Sequence, residues 1–297
     1  MNFVPADYKS IDWNEVWKKQ MLRHSRGNGG KDCALFWRKE SAAQYWKMVQ
    51  DTQKRRIEKT IKGIALQSKS RVLDIGSGPG VLAIPIARRV AHVTTVDPSE
   101  GMIRVLKEKM AEERIRNIYC VQKRWEDIDI ERDLKGPYDI VVASLSLGMF
   151  DIKASVRKMM AACSRQIYLY WFAGEPSWET HSRNLMTLLH GSDYQPMPRS
   201  DVLFNVLYQM GIYPHIRVFP YQHINVFSCM EDAVGYFSRR YGVSKDAQEK
   251  VLRDYLNNVL CEENGFLVLY SPATCLKMWW KKQPVVDQMV LSGMFCG

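Results

Sequence analysis

Residues 72–80 read VLDIGSGPG, an apolar run with one acid that breaks into glycine at the alternate positions 76, 78 and 80. Glycine lets a ligand approach the backbone closely, and a strand, glycine turn and helix in that order also offer the free N–H groups of a helix N-terminus. The pattern is Gly-x-Gly-x-Gly, and Val81 stands where a dinucleotide fingerprint carries its last glycine. Asp97 follows at the end of the next apolar run, where a carboxylate can accept hydrogen bonds from both hydroxyls of a ribose.

Working outward, short β-branched runs alternate with amphipathic stretches from Arg71 onward, the texture of a parallel α/β sheet. The runs predict strands at 71–76, 92–97, 117–122, 138–144 and 166–172, then at 215–220 and in the last apolar stretch, 265–280. The segments between the first five have crossover length. The expectation is an α/β fold with a seven-stranded, mostly parallel sheet and helices on both faces. Before it, the spacing of Ile11, Trp13, Val16, Trp17, Met21 and Leu22 predicts a helix, and SRGNGGKD (25–32) predicts a loop to a second helical stretch. Residues 1–66 are therefore expected to form an N-terminal helical segment acting as a lid, and 67–297 the main domain. The main domain carries helical insertions at about 175–197 and 229–263, more than the sheet needs and natural material for a lid.

The 297 residues carry a formal net charge of +10, and residues 1–70 hold fifteen Lys/Arg against seven Asp/Glu. That surplus could serve an anionic partner. The plainer reading is a solvated helix face, because Lys54, Arg55, Lys59 and Lys62 lie off the stripe of Trp46, Val49, Ile57, Ile61 and Ile64. Seven scattered cysteines without a Cys-x-x-Cys pair argue against a disulfide framework or a metal knuckle, so no metal site is expected. No apolar run approaches the roughly 20 residues that cross a bilayer. The opening MNFVPADYKS lacks the layout of a signal peptide, and a cytoplasmic protein without a membrane partner is expected.

Two more polar stretches stand at the carboxyl ends of predicted strands, the edge where open α/β sheets bind ligands. In RWEDI (124–128), Trp125 could cover a flat ring and Asp127 accept from an exocyclic amine; the alternative is an ordinary acidic loop. SLSLGMF (144–150) follows the fourth strand.

Together these residues resemble the class I S-adenosylmethionine-dependent methyltransferases, and in particular their uncharacterised prokaryotic members. VLDIGSGPG is similar to the family's first motif, TTVDPSEGMI to the second, KRWEDI to the adenine motif and YDIVVASLSLGMF to the fourth. The likeness is good over 71 to about 172. It implies the family's Rossmann-like sheet and S-adenosyl-L-methionine as cofactor. By the same likeness Asp74, Gly76, Ser77, Gly78 and Gly80 would line the methionine part and Asp97 and Pro98 the ribose. Trp125, Glu126 and Asp127 would meet the adenine, Ser144 and Leu145 the region beside the methyl group. The leader KDCALFWRKESAAQYW is similar to a segment that closes over the cofactor, with Phe36, Trp37 and Tyr45 as candidates.

Transfer of a methyl group is an in-line displacement, and positioning alone can supply about 7–11 kcal/mol of it. No catalytic residue is named. The fourth motif lacks the Asn/Asp-Pro-Pro-aromatic signature of nitrogen methylation and the Pro-Cys pair of a cytosine mechanism. His181, His190, His215 and His223 are candidate bases, although a lone histidine is more often a surface or hydrogen-bonded core residue. Tyr170, Trp171, Trp178 and Tyr194 could shape an acceptor pocket. A small-molecule acceptor is the favoured expectation. The alternatives are a protein side chain or RNA docked on the basic segment, and a non-catalytic nucleic-acid-binding module with a vestigial pocket. A nicotinamide dehydrogenase is disfavoured by Val81.

Overall fold

The computed structural model describes residues 11–27 and 39–282. Helix α1 (Trp13–Gly27) is followed by α2 (Lys39–Thr52) and α3 (Lys54–Lys62), and then the sheet begins. Strands β1 (Arg71–Ile75), β2 (His92–Val96), β3 (Ile118–Val121) and β4 (Tyr138–Ser144) fall where the apolar runs predict them. Between them lie α4 (Ala83–Ala87), α5 (Glu100–Glu112) and the single turn α6 (Ile130–Asp133). Helix α7 (Ile152–Ala162) passes directly into β5 (Cys163–Ala173), so that strand starts three residues earlier than its apolar run suggests. Then follow α8 (Ser177–His190), α9 (Ser200–Gln209), β6 (His215–Phe227), α10 (Met230–Tyr241), α11 (Asp246–Val259), β7 (Cys261–Glu263) and β8 (Phe266–Lys281).

The strands join in the order β3-β2-β1-β4-β5-β8-β6, with β7 pairing only β8. The first five are parallel, and β8 runs antiparallel between β5 and β6. This is the expected mostly parallel sheet of seven strands with a short eighth. Two features were missed. Strand β6 runs seven residues beyond its predicted end because it pairs with β8 along its whole length, and the CEE segment expected to end a helix forms β7.

The period of two divides the core between the faces of the sheet. Leu73, Ile75, Val141, Ala143, Ile167, Leu169 and Trp171 join the cluster packed by α1, α7 and α9. Val72, Ile140, Val142, Tyr168 and Tyr170 join the one covered by α2 to α5. The stripe read across residues 46–64 is buried as expected, but two helices carry it, because the chain breaks at Gln53. Helix α1 is built into the core: Trp17 is fully buried, its Nε1 donates to the Met149 carbonyl at 2.8 Å, and Asn14 Nδ2 donates to Asp151 Oδ1 at the start of α7. Helices α8, α10 and α11 pack with the outer ends of β6 and β8 into a satellite cluster around Leu185, Phe237 and Leu252. Among the described residues no helix is long and apolar enough to cross a membrane.

Candidate functional site

The turn after β1 is folded under β2, with the Gly76 and Ser77 N–H groups donating to the Val96 carbonyl at 2.7 and 3.3 Å. Gly76, Gly78 and Gly80 have φ of +67°, +54° and +88°, but three different surroundings. A Cβ on Gly76 would lie 2.2 Å from the Ser146 Cβ, and one on Gly80 2.3 Å from Leu106 Cδ1. Those two glycines serve packing. Ser146 itself is fixed by donating to the Ile75 carbonyl at 2.6 Å. On Gly78 the nearest atom to a Cβ would be Met102 Sδ at 3.9 Å, so only here does the bare backbone face open space.

One carboxylate, Asp97, holds this turn, and a second, Asp74, precedes it near the end of β1. Asp97 Oδ2 accepts from the Gly78 N–H at 2.8 Å and Oδ1 from the Ser99 N–H at 2.9 Å, while Ser99 caps α5. A carboxylate has about four acceptor positions, so Asp97 can still receive two hydroxyls. Burial holds its pKa above the usual range despite these bonds. Asp74 is 2% exposed and its Oδ2 has no hydrogen-bond partner; the buried Ser77 Oγ has none either. Burial first, and the charge of Asp97 second, push the Asp74 pKa up to about 7. A buried polar atom left unpaired costs about 1–3 kcal/mol, which a ligand bearing a donor or a positive charge would relieve. Pro98 is half-buried in the bend that follows.

At the next strand end the residues separate. Trp125 is 3% exposed, packs in the core and donates its Nε1 to the Ser155 carbonyl at 3.1 Å, so its ring is not turned to cover a ligand. Glu126 and Asp127 are exposed on the same short turn. Lys158, which the sequence reading passed over, clasps this turn by donating to the carbonyls of Trp125, Glu126 and Ile128 at 3.1, 2.6 and 2.8 Å. A lone lysine on α7 gives no local signal of that role. After β4, Ser144 and Leu145 are half-buried. Leu145 has φ +58°, and its N–H donates to the Tyr170 carbonyl at 3.0 Å. A non-glycine residue in that region costs on the order of 1–3 kcal/mol and is found preferentially at functional sites. Tyr45 packs on Met102 and Val105 and so stands near the Gly78 opening. Phe36 and Trp37 lie outside the described residues.

The four histidines do not converge. The His181 Nδ1 contacts the Tyr255 hydroxyl at 2.8 Å and the His190 Nε2 the Tyr241 carbonyl at 2.7 Å, both in the satellite cluster. His215 stacks on Trp279 with centroids 5.1 Å apart. His223 stands beside Trp178, centroids 5.9 Å apart, with its pKa pushed down to about 4 by burial and by the charges of Arg240 and Arg56. Trp171 is a core residue whose Nε1 donates to the Pro198 carbonyl at 2.8 Å. The Tyr170 hydroxyl is buried without a partner, and burial raises its pKa.

Residues 72–167 match a family model described as a methyltransferase domain. An uncharacterised protein of Haemophilus influenzae is 25% identical over 170 residues, covering 54% of this chain and 57% of that protein. The ribosomal RNA small subunit methyltransferase G of Shigella flexneri is 37% identical over 78 residues, covering 26% of this chain and 38% of that one. The chain thus spans only part of these relatives. Among solved structures, a Bacillus halodurans chain proposed to be a methyltransferase superposes with a TM-score of 0.54 at 17% identity, covering 77% of this chain and 99% of that one. The YcgJ protein of Bacillus subtilis gives 0.50 at 17% identity, covering 75% and 97%. Both are likenesses of fold.

Proposed function

We propose that the chain, whose residues 72–167 match a methyltransferase domain, moves a methyl group from S-adenosylmethionine to a small-molecule acceptor. The observation that carries this reading is the opening at Gly78, whose N–H is held by the Asp97 carboxylate, together with the buried Asp74 Oδ2 that no hydrogen bond satisfies. A ligand with an ammonium group, a sulfonium and a ribose diol fits that donor and acceptor set. It requires close backbone approach, a negative group for its charge and an acid with spare acceptor positions.

In this reading Asp74 and Ser77 bind the amino-acid arm against Gly78, and Asp97 holds the ribose. Asp127 and Glu126 reach the adenine from the turn that Lys158 steadies. Trp125 serves that turn as its buried anchor. When bound, the cofactor supplies a methyl group made electrophilic by its sulfonium. The acceptor's lone pair forms the new bond as the C–S bond breaks, its electron pair staying on sulfur, and a proton then leaves the acceptor. The chain's part is to align acceptor and methyl: Ser144 and the strained Leu145 set the floor beside the methyl group, and Tyr45 covers it. In this reading α2, which packs on α5 through Tyr45, Met102 and Val105, closes the cofactor side.

A protein or RNA acceptor is the second reading, supported by the exposed Lys54, Lys59 and Lys62 on α3. It requires turnover that falls steeply with salt, with log–log slopes of about −0.7 to −0.9 per phosphate neutralised for nucleic acid. Calorimetry with S-adenosylhomocysteine tests the central claim. Wild type gives a binding isotherm and Asp97→Ala loses it; absence of heat with folded wild type, or unchanged binding in the variant, refutes the assignment.

A further inference from the structure

A cavity of about 200 Å³ lies beside the glycine turn, where α2 and α3 meet α4. Its floor is apolar: Trp46 and Val49 come from α2, Ile57 and Ile61 from α3, Val81 from the end of the turn and Ile84 from α4. Trp46 and Val81 are half-buried and the other four buried. Pockets for drug-sized ligands run to roughly 300–1,000 Å³, so this one takes a smaller molecule.

The rim is charged. Lys54 and Glu58 of α3, Arg88 and Arg89 at the end of α4, and Glu113 all line the same cavity. Arg88 is paired with the Glu113 carboxylate. Lys54, Arg89 and Glu58 form no ion pair among the described residues, which leaves two cations against one acid. That balance favours an anionic head group, and the planar fork of arginine suits a carboxylate.

The same cavity touches the cofactor side at two points. Val81 follows Gly80 directly in the chain. Trp46 packs on the cluster of Ala42, Met102 and Val105, and Met102 Sδ is the atom nearest to a Cβ placed on Gly78, at 3.9 Å. A molecule that touches α2, α3 and α4 at once binds only the arrangement in which those helices are seated together. In that arrangement Tyr45 and Trp46 also rest on the Met102 cluster, so by linkage such a molecule favours the closed cofactor side.

We propose that this cavity is an effector site for a small amphipathic carboxylate, and that filling it tightens the protein's hold on the cofactor. The apolar body lies against Trp46, Ile61 and Ile84, and Lys54 and Arg89 take the carboxylate. That the coupled ligand is the cofactor of methyl transfer rests on the reading above; the cavity does not.

The test is calorimetry on the full chain with octanoate, beside 1-octanol and octylammonium as its uncharged and oppositely charged counterparts. Octanoate is expected to bind about tenfold more tightly than either, and Lys54→Gln and Arg89→Gln should each weaken it about tenfold. Arg116→Gln, an exposed cation outside the cavity, should not. Lys54 and Arg89 are exposed, so their variants fold. Saturating octanoate should raise S-adenosylhomocysteine affinity about fivefold, and S-adenosylhomocysteine should raise octanoate affinity by the same factor. The Trp46 indole signal in NMR, assigned by its loss in Trp46→Phe, should move when octanoate alone is added. Octanol or octylammonium binding as tightly as octanoate, an unmoved Trp46 signal, glutamine variants that bind like wild type, or S-adenosylhomocysteine affinity indifferent to octanoate each overturn the proposal. Octanoate binding at Trp46 without S-adenosylhomocysteine heat sustains the carboxylate site and sinks the transfer reading, and the coupling with it. S-adenosylhomocysteine heat without octanoate binding sinks the cavity proposal alone.

Discussion

Replacing Asp74 by asparagine should stabilise the ligand-free protein while weakening its hold on the cofactor. The native carboxyl has a pKa of about 7 against 3.8 for the ordinary group, a difference of about three units. At about 1.36 kcal/mol per unit, keeping this group ionised costs the folded state at most about 4 kcal/mol. The sign follows from where the proton is held. The folded chain keeps it up to about pH 7 and the unfolded chain releases it near 3.8, so the stabilisation is complete below the lower value and gone above the upper one. Wild type should therefore lose stability between about pH 4 and pH 7, and Asp74→Asn should not show that loss. The amide brings N–H groups of its own to satisfy, so a gain of about 1–3 kcal/mol at pH 8.5 is expected, roughly 2–4 °C in Tm per kcal/mol for a domain of this size. Urea unfolding of both proteins at pH 5 and pH 8.5 measures the difference. In wild type, S-adenosylhomocysteine affinity should rise with pH up to about 7, because its ammonium needs the ionised acid, and in the variant it should be weak and flat. A variant no more stable than wild type at pH 8.5, with the wild-type slope intact, would show that Asp74 is not a strained acid.

The glycines of the first turn should separate under substitution. Gly78→Ala should fold with a loss of about 1–2 kcal/mol for its φ of +54° and bind S-adenosylhomocysteine at least tenfold more weakly, whereas Gly80→Ala should lose stability first, because its methyl overlaps Leu106; thermal melts beside calorimetry distinguish the two. Lys158→Met removes three hydrogen bonds from the turn at 125–128, so amide exchange there should speed up and S-adenosylhomocysteine affinity drop several-fold without loss of the fold. Glu179→Gln leaves Arg199 largely buried without its charge partner, and urea unfolding should report a loss of about 3–5 kcal/mol.

The sheet was legible because each strand from β1 to β4 is a short apolar run, and β1 with β2, and β2 with β3, pair in the order in which they follow one another, while β4 returns to the other side of β1. Where that locality fails, the sequence reading falls short. No loop residue marks the passage from α7 into β5, and β6 is long only because β8 lies beside it. The cofactor side of the site is legible for the same reason as the strands: Asp74, Gly78 and Asp97 come from two successive strand ends, and Gly78 and Asp97 are tied by one hydrogen bond. Even there, pattern alone could not divide the glycines by purpose, since a neighbour across the sheet, Ser146, decides what Gly76 is for. Nor could it show that Trp125 turns inward, which depends on the Ser155 carbonyl waiting in α7.

The satellite packing has no such local grammar. Leu185, Phe237 and Leu252 come from three helices far apart in sequence, and each is unremarkable in the residues around it; they meet because β6 and β8 pair out to their far ends and give α8, α10 and α11 a surface to cover. That cluster belongs to the outer ends of two strands, whereas Asp74 and Asp97 stand at the ends of β1 and β2. Phe237→Ala should therefore cost about 3–5 kcal/mol of stability and leave S-adenosylhomocysteine affinity unchanged in the protein that stays folded. Thermal melts beside calorimetry check both, and a cofactor affinity lost along with stability would show that the satellite cluster and the cofactor side are one cooperative unit.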